Sequence, residues 1–186
     1  MEKQKYIVTV TSVDGKQRDF VWTPTLHQSY LPWIDRIIDY VETGVWKGRE
    51  KAGPVDEYRS IYAQRGRGTS RTYGKNVAWG SLCESISQFL SQECANDEEY
   101  RKSIIKEANS IVRLQNNRIK DDFLSVVEQY HAFEEDEKCL NSTKRYLSKA
   151  VKENDRFAIA MECYVIIRNF GLFTVNSIKP LSNIEP

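Results

Sequence analysis

From Trp79 onward, hydrophobic residues recur at helical spacing, and this periodicity restricts the fold more than any other feature. Trp79, Leu82, Cys83, Ile86, Phe89 and Leu90 repeat at i, i+3, i+4, i+7, i+10 and i+11, the single apolar stripe of an amphipathic helix. A second face runs Tyr100, Ile104, Ile105, Ala108, Ile111 and Val112, breaks at Gln115 and Asn116, and resumes through Ile119, Phe123, Val126, Val127 and Tyr130. That pattern predicts either one long bent helix with a polar layer, the reading preferred here, or two helices that meet near Asn116–Asp122. Asn96 is its expected N-cap, with Glu98 and Glu99 where the helix dipole favours negative charge.

Further on, Glu134–Glu137 (EEDE) reads as a solvated acidic connector, and Asn141 or Ser142 as the cap of a helix carrying Tyr146, Leu147, Ala150 and Val151. Asp155 is placed to cap FAIAMECYVIIRNF, which is apolar almost all round and therefore suits the middle of a bundle. Gly171 should stop that helix, with Leu172 and Phe173 pinning a tail that loosens beyond Pro180.

The N-terminal part has a different period. Tyr6–Val13 (YIVTVTSV) alternates, Asp14-Gly15 follows, and Lys16–Trp22 (KQRDFVW) forms a second run. This predicts a β-hairpin in which Asp14 and Gly15 occupy the two central turn positions, both with positive φ. One face of such a hairpin must be covered, because an isolated pair of strands is marginal. Ser29 is a plausible N-cap, with Pro32 in the first turn of a helix over roughly 30–43 that Gly44 ends. Asp35, Asp39 and Glu42 share that helix's outer side, a spacing open to a metal ion but commoner on a solvated face.

The fold class expected is therefore mainly α: a short N-terminal β-hairpin packed on a bundle of five to seven helices, in a single domain over 1–186. Its parts are a hairpin (1–23), a helix (28–44), a basic Gly/Arg-rich segment with a short helix near 54–64 (45–78), a helical bundle (79–173) and a tail (174–186). A chain of 186 residues is long enough for a substantial core, since ~150 residues already bury roughly two-thirds of the unfolded surface.

Charge is unevenly spread. Trp46–Gly80 holds eight basic residues against three acidic ones, a local +5, whereas the whole chain carries 27 basic and 26 acidic residues. The remainder is thus −4. Within the segment, Lys47, Arg49, Lys51, Arg59, Arg65, Arg67, Arg71 and Lys75 alternate with glycines and stand near Tyr73, Trp46 and Trp79. Cations beside flat aromatic faces are what nucleic-acid binding uses: counterion release by Lys and Arg, and base stacking worth roughly 1–3 kcal/mol per base. The competing account is a solvated loop whose arginines pair with the acidic helices.

Other chemistries fit poorly. Only two histidines occur, His27 and His131, and the cysteines (Cys83, Cys94, Cys139, Cys163) form no Cys-x-x-Cys pair, so zinc-ligand spacing is missing. Gly66-Arg-Gly68-Thr-Ser70 lacks the register of a phosphate-binding loop. A Ser/His or Cys/His pair assembled in space around His27 or His131 is the remaining enzymatic route. No stretch reaches the ~20 apolar residues of a membrane span, no leader pattern opens the chain, and scattered cysteines suit a reducing cytoplasm. The expected function is non-catalytic contact with RNA or DNA phosphates through residues 47–75, with no cofactor and no membrane. An acidic protein surface, gripped by an inhibitor, immunity protein or assembly subunit, is the alternative partner.

Overall fold

The computed structural model describes residues 4–44, 73–121 and 127–181. Along these run β1 (Tyr6–Ser12), β2 (Gln17–Trp22), a 3-10 turn (Gln28–Tyr30), α1 (Pro32–Thr43), α2 (Tyr73–Asn96), α3 (Glu98–Asp121), α4 (Val127–Glu153), α5 (Arg156–Phe170) and β3 (Phe173–Pro180). The structure is 67% helical, with a small three-stranded antiparallel sheet. Contacts divide the described residues into two compact units. The sheet unit takes β1 as far as Thr11, β2, α1, α2 as far as Ile86, and β3 from Thr174; the helical unit takes the turn Ser12–Gly15 and the span Ser87–Phe173.

In the sheet unit the strand order is β2-β1-β3. The expected hairpin forms, with β1 and β2 antiparallel from Tyr6↔Trp22 to Thr11↔Gln17. Alternation dictates the buried face: Tyr6, Val8 and Val10 are buried while Ile7, Thr9 and Thr11 are half-exposed. Tyr6 and Trp22 face each other across the ladder with ring centroids 5.6 Å apart. Ile34 and Ile37 of α1, Ala78, Trp79, Leu82, Cys83 and Ile86 of α2, and Ile178 of β3 complete the buried apolar set.

Helix α1 starts without help from Ser29, which lies in the 3-10 turn. Its flanking residue is Leu31, which makes no side-chain cap, and Pro32 opens the helix. A missing cap costs about 1 kcal/mol, whereas each fully buried isoleucine contributes roughly 1.5–3 kcal/mol. Ile34 and Ile37 therefore hold the helix in place, and left-handed Gly44 (φ 70°) stops it by donating to the Tyr40 carbonyl at 2.8 Å.

Two expectations for this region need correction. The hairpin turn is not centred on Asp14-Gly15. The Gly15 amide donates to the Ser12 carbonyl at 3.0 Å, so Val13 and Asp14 are the central pair. Gly15 alone takes positive φ (75°) at the fourth position, the arrangement of a longer hairpin loop that spares Asp14 a left-handed backbone. Nor is the C-terminal stretch a tail as far as Pro180. Phe173–Pro180 is a strand, with the Thr11 hydroxyl 2.7 Å from the Asn176 Oδ1 and the Leu181 amide donating to the Lys5 carbonyl at 2.8 Å.

In the helical unit, α4 and α5 pack along each other and α3 packs on both. Leu90, Cys94, Tyr100, Ile104, Ala108, Leu140, Leu147, Ala150, Ile159, Cys163, Ile166, Ile167 and Leu172 are buried. The cap of α3 is Asp97, not Asn96: its carboxylate accepts the Tyr100 amide at 3.0 Å, while the Asn96 side chain turns back to the Gln92 carbonyl. Across the same junction Arg101 donates to the Cys94 and Ala95 carbonyls at 2.8 Å, supplying partners for the open end of α2.

The expected single helix through Tyr130 is represented by α3 and α4, and the residues between them, 122–126, lie outside the described set. Glu134–Glu137 is no connector but part of α4, and Asn141 and Ser142 sit inside that helix rather than at its start. Glutamate is a good helix former, so an acidic run does not interrupt a helix by itself. Asp155 caps α5 as expected, accepting the Ala158 amide at 3.0 Å, and left-handed Gly171 ends it. Yet α5 is not enclosed: Phe157 is 77% and Met161 46% exposed, because its neighbours cover only one side.

Candidate functional site

Of the basic segment, Lys47, Arg49, Lys51, Arg59, Arg65, Arg67 and Arg71, together with the expected short helix near 54–64, lie outside the described residues. Tyr73 and Lys75 fall in the first turn of α2. That turn contains no acidic residue, in contrast to α3, which opens with Glu98 and Glu99. A helix start carries partial positive charge from its free amide groups. In α2 this end follows directly on Arg65–Arg71 in the sequence.

His27, His131 and a thiol pair bear on the catalytic alternatives. His27 is exposed and its ring meets the edge of Tyr30 at 6.3 Å; His131 lies on α4. Cys94 and Cys163 are buried with their sulfurs 3.2 Å apart. The hydrogen bond shared with Cys163, followed by burial, raises the Cys94 pKa above the ordinary thiol range. A thiol held protonated in this way is a poor nucleophile.

Asp35, Asp39 and Glu42 line an open cleft of about 450 Å³ with Ile38, Ile178, Lys179 and Pro180. No group of three or more His, Cys, Asp or Glu converges as metal ligands among the described residues. Lys179 brings a cation to the same cleft.

A further charged surface escaped the sequence reading. On α4, Lys138, Arg145, Lys149 and Lys152 are all exposed, and helical spacing rather than adjacency brings them to one side. Counting charge by contiguous segment hides such a row, whereas counting by helix face finds it.

No protein-family model matches the chain, and neither curated proteins nor solved structures show similarity to it. No described helix is long and apolar enough to cross a membrane.

Proposed function

We propose that this chain is a non-catalytic nucleic-acid-binding protein that contacts phosphates through Lys47, Arg49, Lys51, Arg59, Arg65, Arg67, Arg71 and Lys75, with Tyr73 offering a stacking face. The observation that carries it is the segregation of charge: +5 within Trp46–Gly80 and −4 elsewhere. The start of α2 at Tyr73, free of acidic residues, supports it by adding the positive end of a helix to the same stretch. We take the chain as one domain, a hairpin-bearing bundle of five to seven helices working in the cytoplasm without a cofactor.

The test is fluorescence anisotropy of labelled single- and double-stranded oligonucleotides at low and moderate salt. Replacing Arg65, Arg67 and Arg71 by Ala should weaken binding and flatten the log–log salt slope by roughly 0.7–0.9 per lost phosphate contact. Tyr73→Ala should weaken single strands more than duplexes, because stacking needs an unpaired base. Absence of wild-type binding to any oligonucleotide at low salt sinks the proposal and makes an acidic protein surface the partner to pursue.

A further inference from the structure

We infer that the outer face of α4 is a second polyanion-binding surface, one that takes the phosphate backbone of a nucleic acid. It shares its ligand class with the function proposed above but rests on different residues. The inner side of α4 is fixed by Leu140, Thr143, Leu147 and Ala150, all buried. Opposite them, Lys138, Arg145, Lys149 and Lys152 are exposed and spaced by seven, four and three residues. At 100° per residue they fall within an arc of about 60°, and at 1.5 Å per residue they form a row about 21 Å long. Arg156 opens α5 just beyond the row and is exposed as well.

The row runs against the helix's own interest. Arg145 and Lys149 stand at i,i+4 and Lys149 and Lys152 at i,i+3, and like charges at these spacings destabilise a helix. Elsewhere the chain avoids the conflict: on α3, Lys102 lies 3.0 Å from Glu98 and 2.8 Å from Glu99. Lys138 follows Glu134–Glu137 in the same helix and has a partner of its own, but from Cys139 to the end of α4 the only acidic residue is Glu153. Its carboxylate is 3.9 Å from the Lys149 Nζ, with both side chains more than half exposed, an arrangement that neutralises little. The helix dipole accounts for Lys152 in the last turn, but its effect fades within that turn. Arg145 and Lys149 need another reason.

An extended polyanion supplies one, since a line of phosphates relieves the repulsion among Arg145, Lys149 and Lys152 and releases counterions as it binds. Tyr146 adds a second element of the same recognition. It is 51% exposed at the border of the row, with the Arg145 guanidinium 5.2 Å from its ring centroid. An exposed aromatic face beside cations suits an unpaired base next to its phosphate.

The test compares full-length wild type with Arg145→Ala/Lys149→Ala/Lys152→Ala and with Arg65→Ala/Arg67→Ala/Arg71→Ala. Labelled duplex and single-stranded oligonucleotides and phosphatidylglycerol vesicles serve as probes between 50 and 200 mM salt. Alanine is the best helix former, so the α4 variant should melt like wild type. Its duplex affinity at low salt should fall at least tenfold, and the log–log slope should flatten by about 2–3, or roughly 0.9 per contact. If that variant melts early, Lys149→Gln/Lys152→Gln keeps the side-chain stems and should flatten the slope by about 1–2. Tyr146→Ala should weaken single strands more than duplexes. An α4 variant that binds oligonucleotides with the affinity and slope of wild type overturns the inference, and leaves residues 47–75 to account for all binding. Loss confined to the α4 variant supports it while refuting the role of Arg65, Arg67 and Arg71. Wild type that binds vesicles but no oligonucleotide overturns it in favour of an anionic membrane surface.

Discussion

The sheet unit draws its core from Val8, Trp22, Ile37, Trp79 and Ile178, positions spread along almost the whole chain. The helical unit fills its core from consecutive helices, with Leu140, Leu147, Ile159, Cys163 and Ile167 following one another through α4 and α5. The sheet unit must close long loops before its contacts form: Thr11 and Asn176, which bond across β1 and β3, are 165 residues apart. Such non-local pairing bears a chain-entropy cost that adjacent helices avoid. Each remote piece of the sheet unit therefore matters out of proportion to its length.

Substitutions can test this contrast with separate probes, because all four tryptophans (Trp22, Trp33, Trp46 and Trp79) come before the helical span Ser87–Phe173 in the sequence. The largest effect is expected from Ile167→Asp, which places a carboxylate at a fully buried position of α5. An unpaired buried charge belongs to the rare changes that cost more than about 4 kcal/mol. Most of the helical circular dichroism should be lost at room temperature; a cooperative melt near the wild-type temperature would remove Ile167 from the core. Ile178→Ala attacks the other unit through its most remote strand, where Ile178 is 1% exposed. A loss of about 2–4 kcal/mol is expected, read as a lower urea midpoint of tryptophan emission. An unchanged midpoint would mean that β3 contributes little to the sheet core.

The same contrast explains what the sequence made legible. Helical periodicity located α2 and α5 and the buried residues Trp79, Leu82, Ile86 and Leu90, because the neighbours that define a helix face are three and four residues away. Strand β3 was missed although Thr174, Val175 and Ile178 are β-branched. Only Ile178 of that strand is fully buried, and Pro180 is compatible with an edge position but also reads as the start of a tail. The partner of β3 is named by nothing nearby in the sequence. Charge behaves similarly: the basic segment 47–75 stands out because its cations are contiguous, whereas the row on α4 exists only once the helix is built. The Asp14-Gly15 pair identified the hairpin but not the turn's frame, which depends on the Ser12–Gly15 bond.

A smaller effect probes that turn. Gly15 has φ 75° and nothing within 4 Å of where a Cβ would stand, so replacing it meets no steric obstacle. Gly15→Val therefore isolates the backbone penalty, about 1–2 kcal/mol for a side chain in the left-handed region. The drop should appear in the urea midpoint of tryptophan emission, as for Ile178→Ala but weaker. A loss equal to that of Ile178→Ala would show that the turn sets the register of the whole sheet.

The smallest effect separates the units by pH. Burial raises the pKa of Glu162 on α5 above its usual 4.5. In the sheet unit, burial and the charge of Asp35 raise Tyr6 above 10.0. Both groups are acids whose neutral form the fold prefers, so the native state binds more protons than the unfolded state across each window. Stability then falls as pH rises through that window. For Glu162 the fall begins near pH 4.5 and is complete once the pH passes the raised value, so the penalty is fully present at neutrality. Glu162→Gln should consequently stabilise the protein at pH 7 and have no such effect at pH 4, where both states are largely protonated. Because the group is only partly buried, the gain should stay within about 0.5 kcal/mol, measured by circular dichroism melts at the two pH values. A variant less stable than wild type at pH 7 would mean that the Glu162 carboxylate has a favourable charged partner, and that the helical unit, like the sheet unit, depends on a contact its local sequence does not reveal.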